Sequence, residues 1–255
     1  MSVRAAQALY HRLIPASIRN PIGAFRRRLG DRVRRASVPY PLPPARLLRN
    51  VQLTPYVKEY LSVGRKSAES IIAALASRSP ARVLDFGCGS ARTLRHLRNT
   101  GWELYGCDID ADAIAWSRSA LPFARFDVNG AEPPLPYAGA LFDAVYTISV
   151  FTHFPPGQQE RWAAEMARVL RTGGTLVVSS VGFTALQAFA GSAENLAQLE
   201  AEGTLFIRGT EEFNASGMYH ARAGLERLFG PHFTMDVHEE RGLDGFQDLT
   251  IFTRR

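Results

Sequence analysis

Asp85, Gly87 and Gly89 stand in the run ARVLDFGCGSAR at residues 81–92, where an acid precedes two glycines at the junction of an apolar segment and a polar one. Val83 and Leu84 read as the end of a buried strand, the glycines let the backbone come close to a ligand, and Leu94 and Leu97 continue at helical spacing. A second strand-like run, 103–107, ends at Asp108, about 20 residues past the first glycine. In doubly wound sheets an acid at that distance accepts hydrogen bonds from ribose hydroxyls. These residues therefore predict a site for a nucleotide-shaped ligand at the carboxyl ends of parallel strands.

The same residues narrow the ligand. A dinucleotide fingerprint needs a small residue three places after the second glycine, and Arg92 stands there. No Gly-Lys-Ser/Thr follows, so a phosphate loop is absent. A ligand with a ribose and a charged amino-acid end but no phosphate remains, which describes S-adenosylmethionine. Asp85 is placed to order the turn and to meet the ammonium, directly or through water.

Five runs in order resemble the motif series of class I S-adenosylmethionine-dependent methyltransferases: VLDFGCGS (83–90), GCDID (106–110), ARFDV (124–128), FDAVYTISVFTHF (142–154) and VLRTGGTLVVS (169–179). The resemblance covers roughly residues 60–255. One departure is Ala91, where many members carry a third glycine. The resemblance implies that Asp85, Gly87, Cys88 and Gly89 line the methionine end, and that Asp108 holds the ribose with Ile109 against the adenine face. It further implies that Asp127 accepts from the adenine amino group with Val128 nearby, and that Ser149 lies beneath the transferred methyl.

Methyl transfer from a sulfonium needs alignment and exclusion of water more than any obligatory side chain. A hydroxyl acceptor benefits from a base titrating near neutrality, and histidine fits. Of the six histidines, His11 lies in an N-terminal extension, His96 is read as facing out of a helix between Arg95 and Arg98, His232 follows Pro231 in a turn, and His238 sits among acids. His153, after the fourth strand, and His220, read as opening a helix, remain as catalytic candidates. Each has a structural alternative in fixing its own loop.

The elements that must hold these residues follow from periodicity. Strands are predicted at 82–86, 103–107, 123–127, 142–149 and 174–180, with helices at 61–76 and 156–170, and two further strands at 232–239 and 246–253 joined by a glycine-containing turn. This alternation predicts an α/β fold: a doubly wound, mostly parallel seven-stranded sheet of the Rossmann-like methyltransferase type with a helical N-terminal extension. Residues 181–231 exceed a normal loop and are expected to be an insertion that shapes the acceptor pocket, with Phe183, Phe189, Phe206, Phe213, Met218 and Tyr219 as its aromatic and apolar wall.

The chain has 255 residues, 46% of them hydrophobic, enough for one α/β domain plus an extension. Residues 1–50 hold eleven arginines against one acid, so the net charge of +6 belongs to the extension; the rest carries more acidic than basic residues. Arg26, Arg27, Arg28, Arg32, Arg34 and Arg35, interleaved with Phe25, Leu29 and Val33, form an amphipathic basic run suited to a membrane surface or another polyanion, or to docking on its own domain. The proline-rich joint at 38–44 ends it, dividing the chain into an extension, 1–50, and a methyltransferase domain, 51–255.

No apolar run of 18 residues and no signal-peptide core is present, and the two cysteines, Cys88 and Cys107, match neither a metal site nor a disulfide framework. A cytoplasmic protein without metal, at most peripheral at the inner face of a membrane, is the expectation. Pro43-Pro44, Tyr219-His220 and Gln247-Asp248 look like parts of methyltransferases from bacterial glycan-assembly clusters, which implies a small-molecule or glycan acceptor and transfer to a hydroxyl oxygen. An RNA or protein methyltransferase using the basic extension is the alternative, weakened because no Asn/Asp-Pro-Pro-Tyr follows the fourth strand. A cofactor-binding scaffold without turnover is the third reading.

Overall fold

Short, nearly continuous apolar runs alternating with amphipathic segments build a parallel sheet covered on both faces. The computed structural model describes residues 38–52, 56–207 and 217–255. The basic run at 26–35, His11 and Phe213 lie outside them.

Two helices, α1 (Ala45–Gln52) and α2 (Val57–Leu75), precede the sheet. Then come β1 (Arg82–Phe86), β2 (Glu103–Asp108), α3 (Ala111–Ala120), β3 (Ala124–Val128), β4 (Phe142–Thr147), α4 (Gln158–Val169) and β5 (Leu170–Ser180). The segment after β5 forms α5 (Phe183–Ala190), α6 (Ala193–Glu202), the hairpin strands β6 (Thr204–Ile207) and β7 (Gly217–His220), and α7 (Arg222–Phe229). The chain ends in β8 (Phe233–Leu243) and β9 (Gln247–Arg254).

The sheet order is β3-β2-β1-β4-β5-β9-β8, with β9 antiparallel to both β5 and β8 and the other pairings parallel. The direction of travel reverses beside β1, so the ends of β1, β2 and β4 meet at the point where open α/β sheets bind ligands. On one face α4 and α7 press Trp162, Met166, Leu225 and Phe229 onto Leu84, Phe86, Val145, Val178 and Phe252. On the other, Ala68, Ile71 and Leu75 of α2 and Ile114 of α3 cover Val83, Leu104, Ala144, Tyr146 and Val177. Burying a Leu, Ile or Phe in such a core contributes about 1.5–3 kcal/mol, so the sheet is a stiff platform for its loops.

The described chain packs on this domain from Val38 onward. Leu42 and Leu48 join Val57 and Tyr60 in a small core, and Tyr40 lies against Phe123 with ring centroids 4.9 Å apart. The insertion has a satellite core of its own, in which Ala185, Leu186, Leu199, Leu205 and Tyr219 are buried with Phe183 and Phe189 against them. Phe246, from the turn between β8 and β9, joins this cluster and meets the Phe189 ring edge-on at 5.4 Å.

Two expected elements differ. The helix read after the glycine turn is a single 3-10 turn, Leu94–His96. Ala91, at φ 56°, delays its start, and Gly101, at φ 80°, turns the chain into β2. Leu94 and Leu97 are fully buried as their spacing required, but there is room for one turn only. His220 closes β7 rather than opening a helix, because its N–H donates to the Val181 carbonyl at 2.9 Å and α7 begins after Ala221.

Candidate functional site: an acidic cleft at the strand ends

The glycine turn is tied to β2 before any ligand is considered. The N–H groups of Gly87 and Cys88 both donate to the Cys107 carbonyl, at 2.8 and 3.0 Å. Gly87 has φ 77°, and a Cβ there would sit 2.2 Å from Cγ2 of Val150, so only glycine lets the turn lie against the end of β4. Gly89 donates to Oδ2 of Asp108 at 2.7 Å, and Oδ1 of the same carboxylate accepts from Asp110 N at 2.8 Å. Asp108 thus joins the glycine turn to the first turn of α3, whose free N–H groups at Asp112 and Ala113 are capped by Asp110.

Asp85 lies on the same strand-end ledge, 3% exposed, accepting at Oδ2 from the Tyr146 hydroxyl at 2.8 Å. Burial pushes its carboxyl up to about 7; the Tyr146 hydrogen bond opposes this and the neighbouring Asp108 adds to it. Burial also raises Asp108, against the pull of its backbone donors. Two carboxyl groups whose ionisation is opposed by burial suit a cation that would favour their charged forms. Cys88 turns its side chain into the core beside Ala91, Leu94 and Phe126, where burial raises the thiol well above its ordinary value. Its thiol donates to the Gly89 carbonyl at 3.6 Å, so the side chain braces the turn from the core side.

Beyond Asp108 the cleft becomes apolar. Ile109 is 49% exposed and Val128 is 42% exposed, and Val128 pairs in register with Asp108. Large aliphatic side chains left open at adjacent strand ends make a slot for a flat ring. Asp127 borders it, half-buried, with Oδ1 3.2 Å from Nη2 of Arg118. The wall opposite is α1: Asn50 donates to Asp110 at 3.0 Å, Arg46 pairs with Asp112 at 2.8 Å, and Arg92 donates to the Val51 carbonyl at 2.6 Å. Tyr60 of α2, fully buried, donates to the Ser90 carbonyl at 2.6 Å. A glycine cradle, one buried and one half-buried acid, and an apolar slot fit an amino-acid end, a ribose and a purine.

Residues 84–178 match the methyltransferase domain family. This segment is a methyltransferase domain of that family.

Among relatives of this methyltransferase domain, the malonyl-[acyl-carrier protein] O-methyltransferase of Enterobacter lignolyticus is 30% identical over 135 residues, covering 52% of this chain and 51% of that one. The methyltransferase GfsG of Streptomyces halstedii is 27% identical over 175 residues, covering 65% of this chain and 60% of that one. The chain thus spans about half to three fifths of the length of these two relatives. In solved structures the fold recurs in the PH0226 protein of Pyrococcus horikoshii, with TM-score 0.54, 24% identity and coverage of 77% of this chain and 95% of that one. It recurs too in the glycopeptide N-methyltransferase MtfA in complex with S-adenosyl-L-homocysteine, with TM-score 0.56, 13% identity and coverage of 75% and 90%.

The remaining candidates sit further along the sheet edge. Ser149 follows β4 with φ 61°, its N–H donating to Ser179 Oγ at 2.9 Å and its Oγ accepting from Gln247 Nε2 at 2.6 Å. His153 ends a 3-10 turn, Phe151–His153, and is exposed. His220 is fully buried, with Nε2 3.0 Å from Oε1 of Gln159. The Gln159 amide nitrogen already donates to the carbonyls of Phe151 and Phe154, at 2.8 and 3.2 Å, so Oε1 must accept and His220 must carry its proton on Nε2. Nδ1 is then a buried lone pair without a partner among the described residues, and burial pulls the imidazole down to about 4.

Gln159 links His220 to the loop that carries His153, a connection that periodicity cannot reveal. Tyr146, Ser179 and Gln159 escape a reading of the sequence as site residues, because each looks like an ordinary strand or helix position. His96 does not face outward: its Nε2 is buried without a partner among the described residues, and burial beside Arg95 lowers its pKa to about 4. No helix among the described residues is long and apolar enough to cross a membrane. No group of three or more His, Cys, Asp or Glu side chains among them is arranged to hold a metal ion.

Proposed function

We propose that this protein transfers a methyl group from S-adenosylmethionine to a hydroxyl oxygen of a small-molecule or glycan acceptor. The observation that carries the reading is His220, a buried imidazole whose Nδ1 has no partner among the described residues, which lines a cavity of about 200 Å³ together with Thr184, Arg222, His238, Glu240 and Asp248. A pocket that size, with so many donors and acceptors, suits a polar group bearing hydroxyls better than a planar base or an extended peptide.

In this reading Asp85 meets the ammonium of the cofactor, Asp108 takes the ribose hydroxyls, and Ile109 and Val128 hold the adenine, with Asp127 as acceptor for its amino group. Bound there, S-adenosylmethionine would supply an electrophilic methyl group to an acceptor oxygen, leaving S-adenosylhomocysteine and releasing the acceptor proton. His220 receives that proton at Nδ1, since its Nε2–H is committed to Gln159. Ser149 and Val150, the latter pressed against Gly87, align the acceptor with the methyl and exclude water from it.

The test is transfer of labelled methyl from S-adenosylmethionine into an extract of the source organism, fractionated into lipid-linked and free glycans, small metabolites, RNA and protein. Label in the glycan or metabolite fraction is expected. Label confined to RNA or protein, or no label despite binding of S-adenosylhomocysteine, overturns the reading.

A further inference from the structure

Ser149, Ser179 and Gln247 close a hydrogen-bond circuit at the transfer edge of the sheet. The Ser149 N–H donates to Ser179 Oγ at 2.9 Å, the Ser179 hydroxyl donates to Gln247 Oε1 at 2.6 Å, and Gln247 Nε2 donates to Ser149 Oγ at 2.6 Å. The three residues come from the end of β4, the end of β5 and the start of β9, so the circuit ties together three strands that are far apart in sequence.

The direction of each bond follows from proton accounting. Ser179 is fully buried, and its hydroxyl hydrogen needs an acceptor. If the Gln247 amide were rotated to present its nitrogen to Ser179, that buried hydrogen would have none among the described residues. The amide therefore gives its oxygen to Ser179 and its nitrogen to Ser149. One consequence is specific: Ser149 Oγ receives a donor from behind, and its own hydrogen takes no acceptor among the described residues. Ser149 is half-buried at the strand end, held at φ 61°, a left-handed conformation unfavourable for a residue with a Cβ, and followed by Val150 against Gly87. Strain of this kind persists only where surrounding contacts over-determine it, and the circuit supplies them.

We infer that Ser179 and Gln247 are positioning residues that fix Ser149 with its hydroxyl hydrogen facing the acceptor, so that Ser149 donates to an acceptor oxygen as the methyl is delivered. The inference rests on the proposed methyl transfer to oxygen, and it adds the residue that orients the acceptor and the two that orient that residue. An acceptor with a lone pair beside the reacting one, as on a diol or a sugar ring, satisfies this donor.

The experiment compares Ser149→Ala, Ser179→Ala, Gln247→Glu and the double variant Ser149→Ala/Gln247→Glu. The carboxylate introduced by Gln247→Glu can only accept, so it turns the Ser149 hydrogen inward while keeping the size of the side chain. With the labelled-methyl assay on the acceptor fraction, Ser149→Ala and Gln247→Glu are each expected to lower kcat at least about tenfold, with S-adenosylhomocysteine affinity by calorimetry kept within about twofold. The double variant should lose no more than the worse single one, since both remove the same donor. In Ser179→Ala, exchange of the Ser149 amide hydrogen measured by NMR is expected to quicken at least about tenfold, a readout independent of any acceptor. Additive losses in the double variant, wild-type turnover in Gln247→Glu or unchanged Ser149 exchange in Ser179→Ala would overturn the inference. If the wild-type protein labels no fraction at all, the proposed function fails and the donor role with it, while the exchange measurement still decides whether the circuit positions Ser149.

Discussion

The Tyr146 hydroxyl reaches Oδ2 of Asp85 at 2.8 Å across the parallel β1–β4 pair, where the two residues are in register. That hydrogen bond is the main offset to the burial of Asp85, whose carboxyl is nonetheless pushed up to about 7. Unfolded, the group titrates near the usual carboxylate value of about 3.9. Between the two values the folded chain holds a proton that the unfolded chain has lost, so this group makes stability fall as pH rises from about 4 to about 7, by on the order of 4 kcal/mol in full. Asp85→Asn should remove that falling component and raise the melting temperature of the ligand-free protein at pH 8. Equal pH slopes for variant and wild type would show that Asp85 titrates normally.

In the proposed site the same group is expected to make cofactor binding pH-dependent. An ammonium arriving beside Asp85 favours the carboxylate over the acid. Affinity for S-adenosylhomocysteine is therefore expected to rise between pH 6 and 8 with release of a proton, seen as a dependence of calorimetric enthalpy on the ionisation enthalpy of the buffer. Asp85→Asn should lose both the dependence and much of the affinity. Proton uptake in place of release would place the ammonium elsewhere.

In the proposed cofactor site Asp108 would act twice, once toward the ligand and once toward the loop. Its two oxygens already hold Gly89 N and Asp110 N, and charge-assisted hydrogen bonds contribute about 1.5–3 kcal/mol each. Asp108→Ala should weaken S-adenosylhomocysteine binding at least about tenfold by calorimetry. An unchanged dissociation constant would remove Asp108 from the site.

Much of this arrangement is legible in the sequence because it is local. The strands at 82–86, 103–107 and 123–127 agree with the structure to within a residue or two, and with them the positions of Asp85, Gly87, Asp108 and Val128 at strand ends. The antiparallel finish of β8 and β9 follows from alternation alone. What stays hidden depends on register and on chain reversal. Tyr146 meets Asp85 only because β4 pairs with β1, and Ser179 meets Gln247 only because β9 returns between β5 and β8. Spacing misplaces His220 because its neighbours Arg222 to Phe229 do form a helix, while its own N–H is taken by Val181.

Gly64 illustrates a contact that composition conceals. It lies inside α2, yet a Cβ there would stand 2.1 Å from the Arg92 carbonyl oxygen, a backbone atom of the glycine-turn segment. Gly64→Ala gains helix propensity but must push α2 off that segment, and overpacking of this kind costs about 1–3 kcal/mol. A fall of several degrees in melting temperature is expected, with weaker S-adenosylhomocysteine binding because the turn that moves is the cradle. A variant as stable as wild type, with the same affinity, would mean that α2 does not brace the cradle.

His220 and His153 separate on both pH and turnover. Burial holds the His220 imidazole at about 4, below the unfolded value of about 6.5, so between these the unfolded chain binds a proton that the folded chain refuses. Its contribution to stability is present above pH 6.5 and is lost as pH falls through about 4, opposite in sign to that of Asp85 over nearly the same window. The wild-type curve is thus a partial cancellation. His220→Asn should tilt it toward lower stability at high pH, and Asp85→Asn should tilt it the other way. In the labelled-methyl assay, His220→Ala is expected to lower kcat by about 10²–10⁴, the range for loss of a general base, with S-adenosylhomocysteine binding intact. His153→Ala, at an exposed position, should retain turnover. Loss of turnover in His153→Ala with His220→Ala unaffected would transfer the proton acceptor to the loop after β4 and leave His220 as the brace between Gln159 and β7.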